Sequence, residues 1–154
     1  MTIDFDRIWK DMAQHFQLSS WSQHGPKHWR NVESNGLKLA EHNGADETVV
    51  RLFAVFHDVE RHSDSYDPDH GRRAACLVSD LREEYFEIDD DQMSLLVEAI
   101  SFHNDGLTSE EITIGTCWDA DRMDLPRVGV TPKASLMSTE MGKQYAIRGE
   151  IVFE

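Results

Sequence analysis

The sequence predicts an all-α, single-domain helical bundle. Apolar residues recur at helical spacing, the breaks between them carry helix-capping residues, and strand signals are nearly absent: no Asn-Gly or Asp-Gly hairpin joins two alternating runs. A chain of 154 residues suits one domain with one core. No repeat, low-complexity stretch or linker divides it.

A first helix is expected from Asp4 to about Gln17, with Phe5, Ile8, Met12 and Phe16 on one face. Gly25-Pro26 opens a second, running to about His42 and stopped by Asn43-Gly44. Asp46 starts a third, to about Asp58. Its run from Val49 to Phe56 is apolar nearly all round, which makes it the central, buried helix. A polar loop follows from Glu60 to Asp67. Asp67-Pro68 then reads as N-cap and first position of a fourth helix, ending near Tyr85. Asp89 with Gln92 forms a capping-box pattern for a fifth, ending near His103 before Asn104-Asp105-Gly106. A sixth carries Cys117 to about Leu125, and a last helical stretch runs from about Thr139 to Arg148.

Hydrophobic residues make up 40 % and charged residues 29 %, which excludes a disordered chain as the default. No stretch approaches the roughly 20 apolar residues of a membrane span, and Met1 to Asp6 lack a basic region followed by an apolar run. The expectation is a cytoplasmic protein without a membrane partner. Cys76 and Cys117 are too few and too far apart for a disulfide framework or zinc ribbon, and read as free core thiols. A net charge of −14 disfavours a nucleic acid polymer, whose binding needs clustered Lys and Arg. A small phosphorylated molecule remains open, because a cation and a few local arginines outweigh a global field at short range.

The polar groups that matter lie on apolar faces. His57-Asp58 ends the apolar third helix, where a buried carboxylate costs several kcal/mol unless a cation or hydrogen bonds compensate. His28 shares a face with Val32, Gly36 and Leu39; His70 with Ala74, Leu77, Val78 and Leu81; His103 with Ala99 and Leu96; Asp121 with Trp118 and Leu125. A single histidine on such a face is usually a hydrogen-bonded core residue. Four helices doing the same, beside His57-Asp58, point to one shared metal site. Histidine and aspartate ligands without cysteine suit Mn, Fe, Co, Ni or Zn. Such an ion acts as a Lewis acid on phosphate and lowers the pKa of its water.

At these residues the chain resembles the HD-domain superfamily of metal-dependent phosphohydrolases. The pieces are His28-Trp29-Arg30-Asn31-Val32, Phe53-Ala54-Val55-Phe56-His57-Asp58 and Asp119-Ala120-Asp121-Arg122-Met123-Asp124. The last is similar to a D-A-D-R-[LM]-D motif of bacterial members, and its second aspartate, Asp121, aligns with the metal ligand in preference to Asp119. The resemblance covers about residues 24 to 130, leaving 131 to 154 as a C-terminal helical extension of the same domain. It implies an HD-type helical bundle, a divalent metal on His28, His57, Asp58 and Asp121, and hydrolysis of phosphate esters, often in nucleotides. Asp58, His70 and His103 are the implied catalytic residues. His70 and His103 occupy positions where two-metal relatives bind a second ion; with one metal they contact phosphate or shuttle protons. Val59-Glu60-Arg61-His62 departs from the usual small stretch, so Glu60 is not assigned as a base. The Gly-Tyr-Pro motif of the cyclic-dinucleotide branch is absent.

Arg61, Arg122 and Lys27 are the candidate substrate contacts, since guanidinium and ammonium groups hold phosphate. Arg122 has an equal alternative in pairing with Asp119. His24, like Lys27, flanks the start of the second helix, where either could line the pocket mouth. Trp29 and Trp118 read as core. Two rival functions stand beside the phosphohydrolase: a di-iron HD-type oxygenase, and a non-catalytic metal-containing ligand-sensing domain. A homodimer is compatible with all three. No G-x-S-x-G elbow, Walker loop, Rossmann fingerprint or H-E-x-x-H helix points elsewhere.

Overall fold

A computed structural model describes residues 2–151. Among these, all regular structure is helical: α1 (Phe5–His15), α2 (Pro26–Asn43), α3 (Glu47–Phe56), α4 (His70–Tyr85), α5 (Asp90–Phe102), α6 (Ile112–Arg122) and α7 (Glu140–Arg148), with short 3₁₀ turns at Leu125–Val128 and Ala134–Leu136. No helix among the described residues is long and apolar enough to cross a membrane.

Capping residues set most of the boundaries. Asp4 accepts from Arg7 N, and Asp46 from Val49 N. The capping box at Asp89 and Gln92 is complete. Gly44 stops α2 with φ at +77°, a left-handed turn that glycine enters without a Cβ penalty.

Two expected boundaries move. The fourth helix starts at His70, with Asp69 at its N-cap, rather than at Asp67-Pro68. Asp67 is occupied elsewhere: both carboxylate oxygens accept from Arg73 Nη2, at 2.7 and 2.8 Å, and Oδ2 also accepts from His62 N. The sixth helix begins at Ile112, capped by Glu111, and ends at Arg122, short of Leu125. One further expectation is corrected: Cys76 is exposed, on the side of α4 away from His70, Ala74 and Val78, while Cys117 is buried.

α3 is the axis of the core. Seven of its ten residues are buried, from Val49 to Phe56, and α2, α5, α6 and α1 pack around it. α2 approaches α3 closely at Gly36, where a Cβ would sit 2.4 Å from Val50 Cγ1. α4 packs on α5 through Gly71, where a Cβ would meet Ile100 O at 2.7 Å. A smaller cluster of Leu39, Met123 and Met137, joined by Met141 and Tyr145, holds the C-terminal segment to α2 and α6. This arrangement brings one end of α2, α3, α4, α5 and α6 to a common point.

Candidate metal centre

The residues at that point sit at helix ends. His28 lies in the first turn of α2, His57 is the C-cap of α3 and is followed by Asp58, His70 opens α4, His103 is the C-cap of α5, and Asp121 lies in the last turn of α6. A helix C-terminus leaves carbonyls without intrahelical partners, and two imidazoles use them. His57 Nδ1 donates to Ala54 O at 3.0 Å and His103 Nδ1 to Ile100 O at 2.7 Å. His70 Nδ1 donates to Asp67 O at 2.6 Å, and His28 Nδ1 to Asp124 Oδ2 at 2.7 Å. Each acceptor lacks a proton to give, so all four rings carry hydrogen on Nδ1. In the neutral ring that leaves Nε2 as a lone pair aimed inward.

Those lone pairs meet two carboxylates. His28 Nε2 lies 3.1 Å from His57 Nε2, 3.1 Å from Asp121 Oδ1 and 3.3 Å from Asp58 Oδ2. His57 Nε2 lies 3.4 Å from both Asp58 Oδ2 and Asp121 Oδ1. The other oxygen of Asp58 faces a second set: His70 Nε2 is 3.0 Å from Asp58 Oδ1, His103 Nε2 is 3.4 Å from it, and the two Nε2 atoms are 2.9 Å apart. Asp58 is the hinge of two donor sets.

Acceptors crowded together without protons between them repel. Ligand atoms held at about 2.0–2.2 Å from one cation are about 3.0–3.4 Å from one another, the spacing found here. The donor set therefore fits a divalent transition metal by atom type, tautomer and distance. The electrostatics agree. Burial opposes the imidazolium of His28, yet the carboxylates of Asp121, Asp124 and Asp58 outweigh it and push its pKa up to about 10. Burial also opposes the charge on Asp58 and Asp121, and the surrounding imidazoles outweigh that too, holding both well below the ordinary carboxylate range. The centre calls for positive charge.

A cavity of about 290 Å³ opens onto the centre, and Asp58, His70, His103 and Asp121 line it. A larger groove of about 700 Å³, between Thr2–Asp4 and the end of α4, contains none of the histidines. Among the expected substrate contacts, Arg61 and Arg122 line the 290 Å³ cavity and Lys27 does not. Lys27 is exposed, because adjacent helical residues point about 100° apart and His28 takes the inward direction. His24 does line the cavity, with Nδ1 3.6 Å from Asp58 Oδ2. Glu60 pairs with His15 of α1. Trp29 and Trp118 are core residues, their indole N–H groups bonded to His24 O and Ala99 O.

Each polar residue of the 119–124 motif has its own task. Asp119 stays out of the cluster: Oδ1 accepts from Ser138 N, and Oδ2 from Thr139 N and Oγ1, all at 2.7 Å. Arg122 Nη1 donates to Leu136 O at 2.5 Å instead of pairing with Asp119. Asp124 orients His28, a role the sequence reasoning missed although Asp124 follows Asp121 by three residues, one turn on. It also missed Arg127 and Lys133, which reach the cavity from the chain beyond α6; nothing in their spacing marks them.

No family model matches the chain, and no curated protein does. Among solved structures, it is similar to the crystal structure, at 1.45 Å resolution, of a predicted HD superfamily hydrolase from an uncultured Thermotogales bacterium. The TM-score is 0.73 at 23 % sequence identity, over 92 % of this chain and 82 % of that one. A likeness of that extent establishes architecture, and the helical bundle that gathers His28, His57-Asp58 and Asp121 has the HD-type fold.

Proposed function

We propose that the protein is a metal-dependent phosphohydrolase acting on a small phosphorylated molecule, with a nucleotide among the candidates. One observation carries this reading: two imidazole–carboxylate donor sets, one about each oxygen of Asp58, adjoin a cavity that also collects Arg61, Arg122, Arg127 and Lys133, in a chain of net charge −14. A site for cations that is itself ringed by cations suits an anionic ligand bridging the two.

His28, His57, Asp58 and Asp121 would hold the metal, with His70, His103 and Asp58 Oδ1 offering a second position. A divalent cation there supplies Lewis acidity toward a phosphoryl oxygen and makes water a nucleophile near neutral pH. The chain's own groups do the rest. The Nδ1–H bonds keep each Nε2 on target. Arg61 Nε, 3.7 Å from Asp58 Oδ1 and without a hydrogen-bond acceptor, is available to a phosphate oxygen. His70 and His103, where they do not bind an ion, are placed to take up or return a proton.

Elemental analysis of the purified protein, followed by a screen of nucleotides and generic phosphate esters with Mn, Co and Ni, tests this. The expected result is metal-dependent release of phosphate, lost together with the metal in Asp58→Ala. Full phosphatase activity in a metal-free Asp58→Ala protein would refute it. The second donor set also supports another reading, a di-iron oxygenase. Two irons per chain with an iron-type absorption band after aerobic purification would favour it; one colourless metal per chain argues against it. Binding across the screen without turnover would favour a sensing domain.

A further inference from the structure

The cavity holds more positive charge than one phosphate requires. Its carboxylates, Asp58 and Asp121, face the imidazoles, and Asp58 Oδ1 also lies 3.7 Å from Arg61 Nε. Four of the chain's 15 Lys and Arg residues line it. Arg127 is already engaged, its Nε and Nη1 donating to Gln23 O and Asp124 O at 2.7 and 3.0 Å. The other three keep donors in reserve. Arg61 Nε and Arg122 Nη2 are buried without an acceptor, and among the described residues no hydrogen bond or ion pair engages the Lys133 ammonium. A buried guanidinium N–H without an acceptor is an expensive arrangement that a ligand oxygen would relieve.

These donors come from different segments of the chain. Arg61 stands beside Asp58, anchored by Nη1 bonds to Ser63 O and Ser65 O at 3.0 Å each. Arg122 and Lys133 belong to the wall built from α6 and the chain that follows it. They are coupled, because Leu136, whose carbonyl takes Arg122 Nη1, closes the 3₁₀ turn that begins directly after Lys133. The clamp of Asp119 on Ser138 and Thr139 fixes the far end of this segment.

We propose that Arg122 and Lys133 bind a second anionic group of the substrate, so that the substrate class is a small phosphate ester carrying a carboxylate or a further phosphate. This rests on the phosphohydrolase reading and adds the selectivity. Arg61 serves the phosphate at the metal centre, and Arg122 with Lys133 serves the other anion. A volume of about 290 Å³ lies at the low end for ligand cavities, so the two anionic groups are joined by a short spacer.

The test is binding to the Mn-loaded protein, by calorimetry, of inorganic phosphate, glycerol phosphate and phosphoglycerate. The two esters are of similar size and differ by one carboxylate. Phosphoglycerate should bind at least about tenfold more tightly than glycerol phosphate, the value of one charge-assisted contact. Lys133→Ala should cut that ratio several-fold, with Arg122 supplying what remains. Lys133 is exposed, so its loss should spare folding, which a circular dichroism melt verifies. Lys143→Ala, on α7 and outside the cavity, should keep the ratio. Equal affinity for both esters, or a ratio unchanged by Lys133→Ala, overturns the proposal while leaving the phosphohydrolase reading intact. Failure of all three probes to bind with the metal in place overturns both.

Discussion

Asp124 Oδ2 accepts the Nδ1–H of His28 at 2.7 Å, and the same carboxylate is steadied by Asn31 Nδ2 at 3.2 and 3.3 Å. The pair spans 96 residues of sequence and fixes which nitrogen of His28 faces the centre. Such outer partners raise ligand basicity and hold ring orientation. Asp124→Asn is therefore expected to weaken metal affinity by about 10–100-fold with little change in melting temperature, measured by competition with a chromophoric chelator. Unchanged affinity would show that His28 needs no orienting partner.

Gly71 lets α4 touch the last turn of α5, next to His103. A Cβ there would lie 2.7 Å from Ile100 O, 2.9 Å from Ser101 O and 3.4 Å from His103 Cε1. Backbone oxygens cannot move aside as a flexible side chain can. Gly71→Ala should cost about 1–3 kcal/mol and push His70 away from His103. Denaturant unfolding reads the first effect. The second should appear as loss of any second metal equivalent, while the set built on His28, His57 and Asp121 keeps its ion.

Asp119 and Asp121 separate two roles within one helical turn. Asp119→Ala would leave the backbone N–H groups of Ser138 and Thr139 without their acceptor, at about 1–3 kcal/mol for each that stays buried. The expected phenotype is faster hydrogen exchange in the first turn of α7 with metal stoichiometry unchanged. Asp121→Ala should do the reverse, releasing metal and leaving α7 protected. Identical behaviour of the two variants would contradict this division.

Acid–base behaviour follows from the centre. In the metal-free protein the carboxylates around His28 lift its pKa from 6.5 to about 10 against the cost of burial. A raised imidazole pKa adds stability that is complete below 6.5 and is lost as pH rises through about 10. The metal-free protein should accordingly lose stability across that alkaline interval, an effect absent in His28→Gln. Metal must displace this proton. Loading near neutral pH should thus release about one proton per ion, detectable by calorimetry in buffers of different ionisation enthalpy. Affinity should rise with pH over the same range. Asp58 and Asp121, depressed well below 3.8, remain ionised throughout and add no slope there.

The architecture was legible because local rules and the global fold agree. The apolar run of Val49 to Phe56 could only be a central helix, and Asp46, Asp89 and Gly44 mark ends that depend on a residue's own side chain or its lack of one. The boundary at Asp67 was misplaced because Arg73, only six residues on, competes for the carboxylate that the capping rule assigns to the helix N-terminus, and that rule does not weigh such side-chain rivals. The inward-facing imidazoles and carboxylates were legible for a different reason. A charged or imidazole group on an apolar helical face is a conflict within a single segment, and it is visible before any contact is known.

The chain order alone thus settled that several helices present imidazole and carboxylate groups inward, and which residues these are. Only packing decided that Asp58 serves two donor sets, one with each oxygen, that Asp124 rather than solvent holds His28, and that Arg127 and Lys133 join the cavity. Helical periodicity reports the direction of a side chain relative to its own axis, because that angle is set by the backbone. It carries no record of the distance between two axes, which is determined by the fit of residues such as Gly36 against Val50 and Gly71 against Ile100.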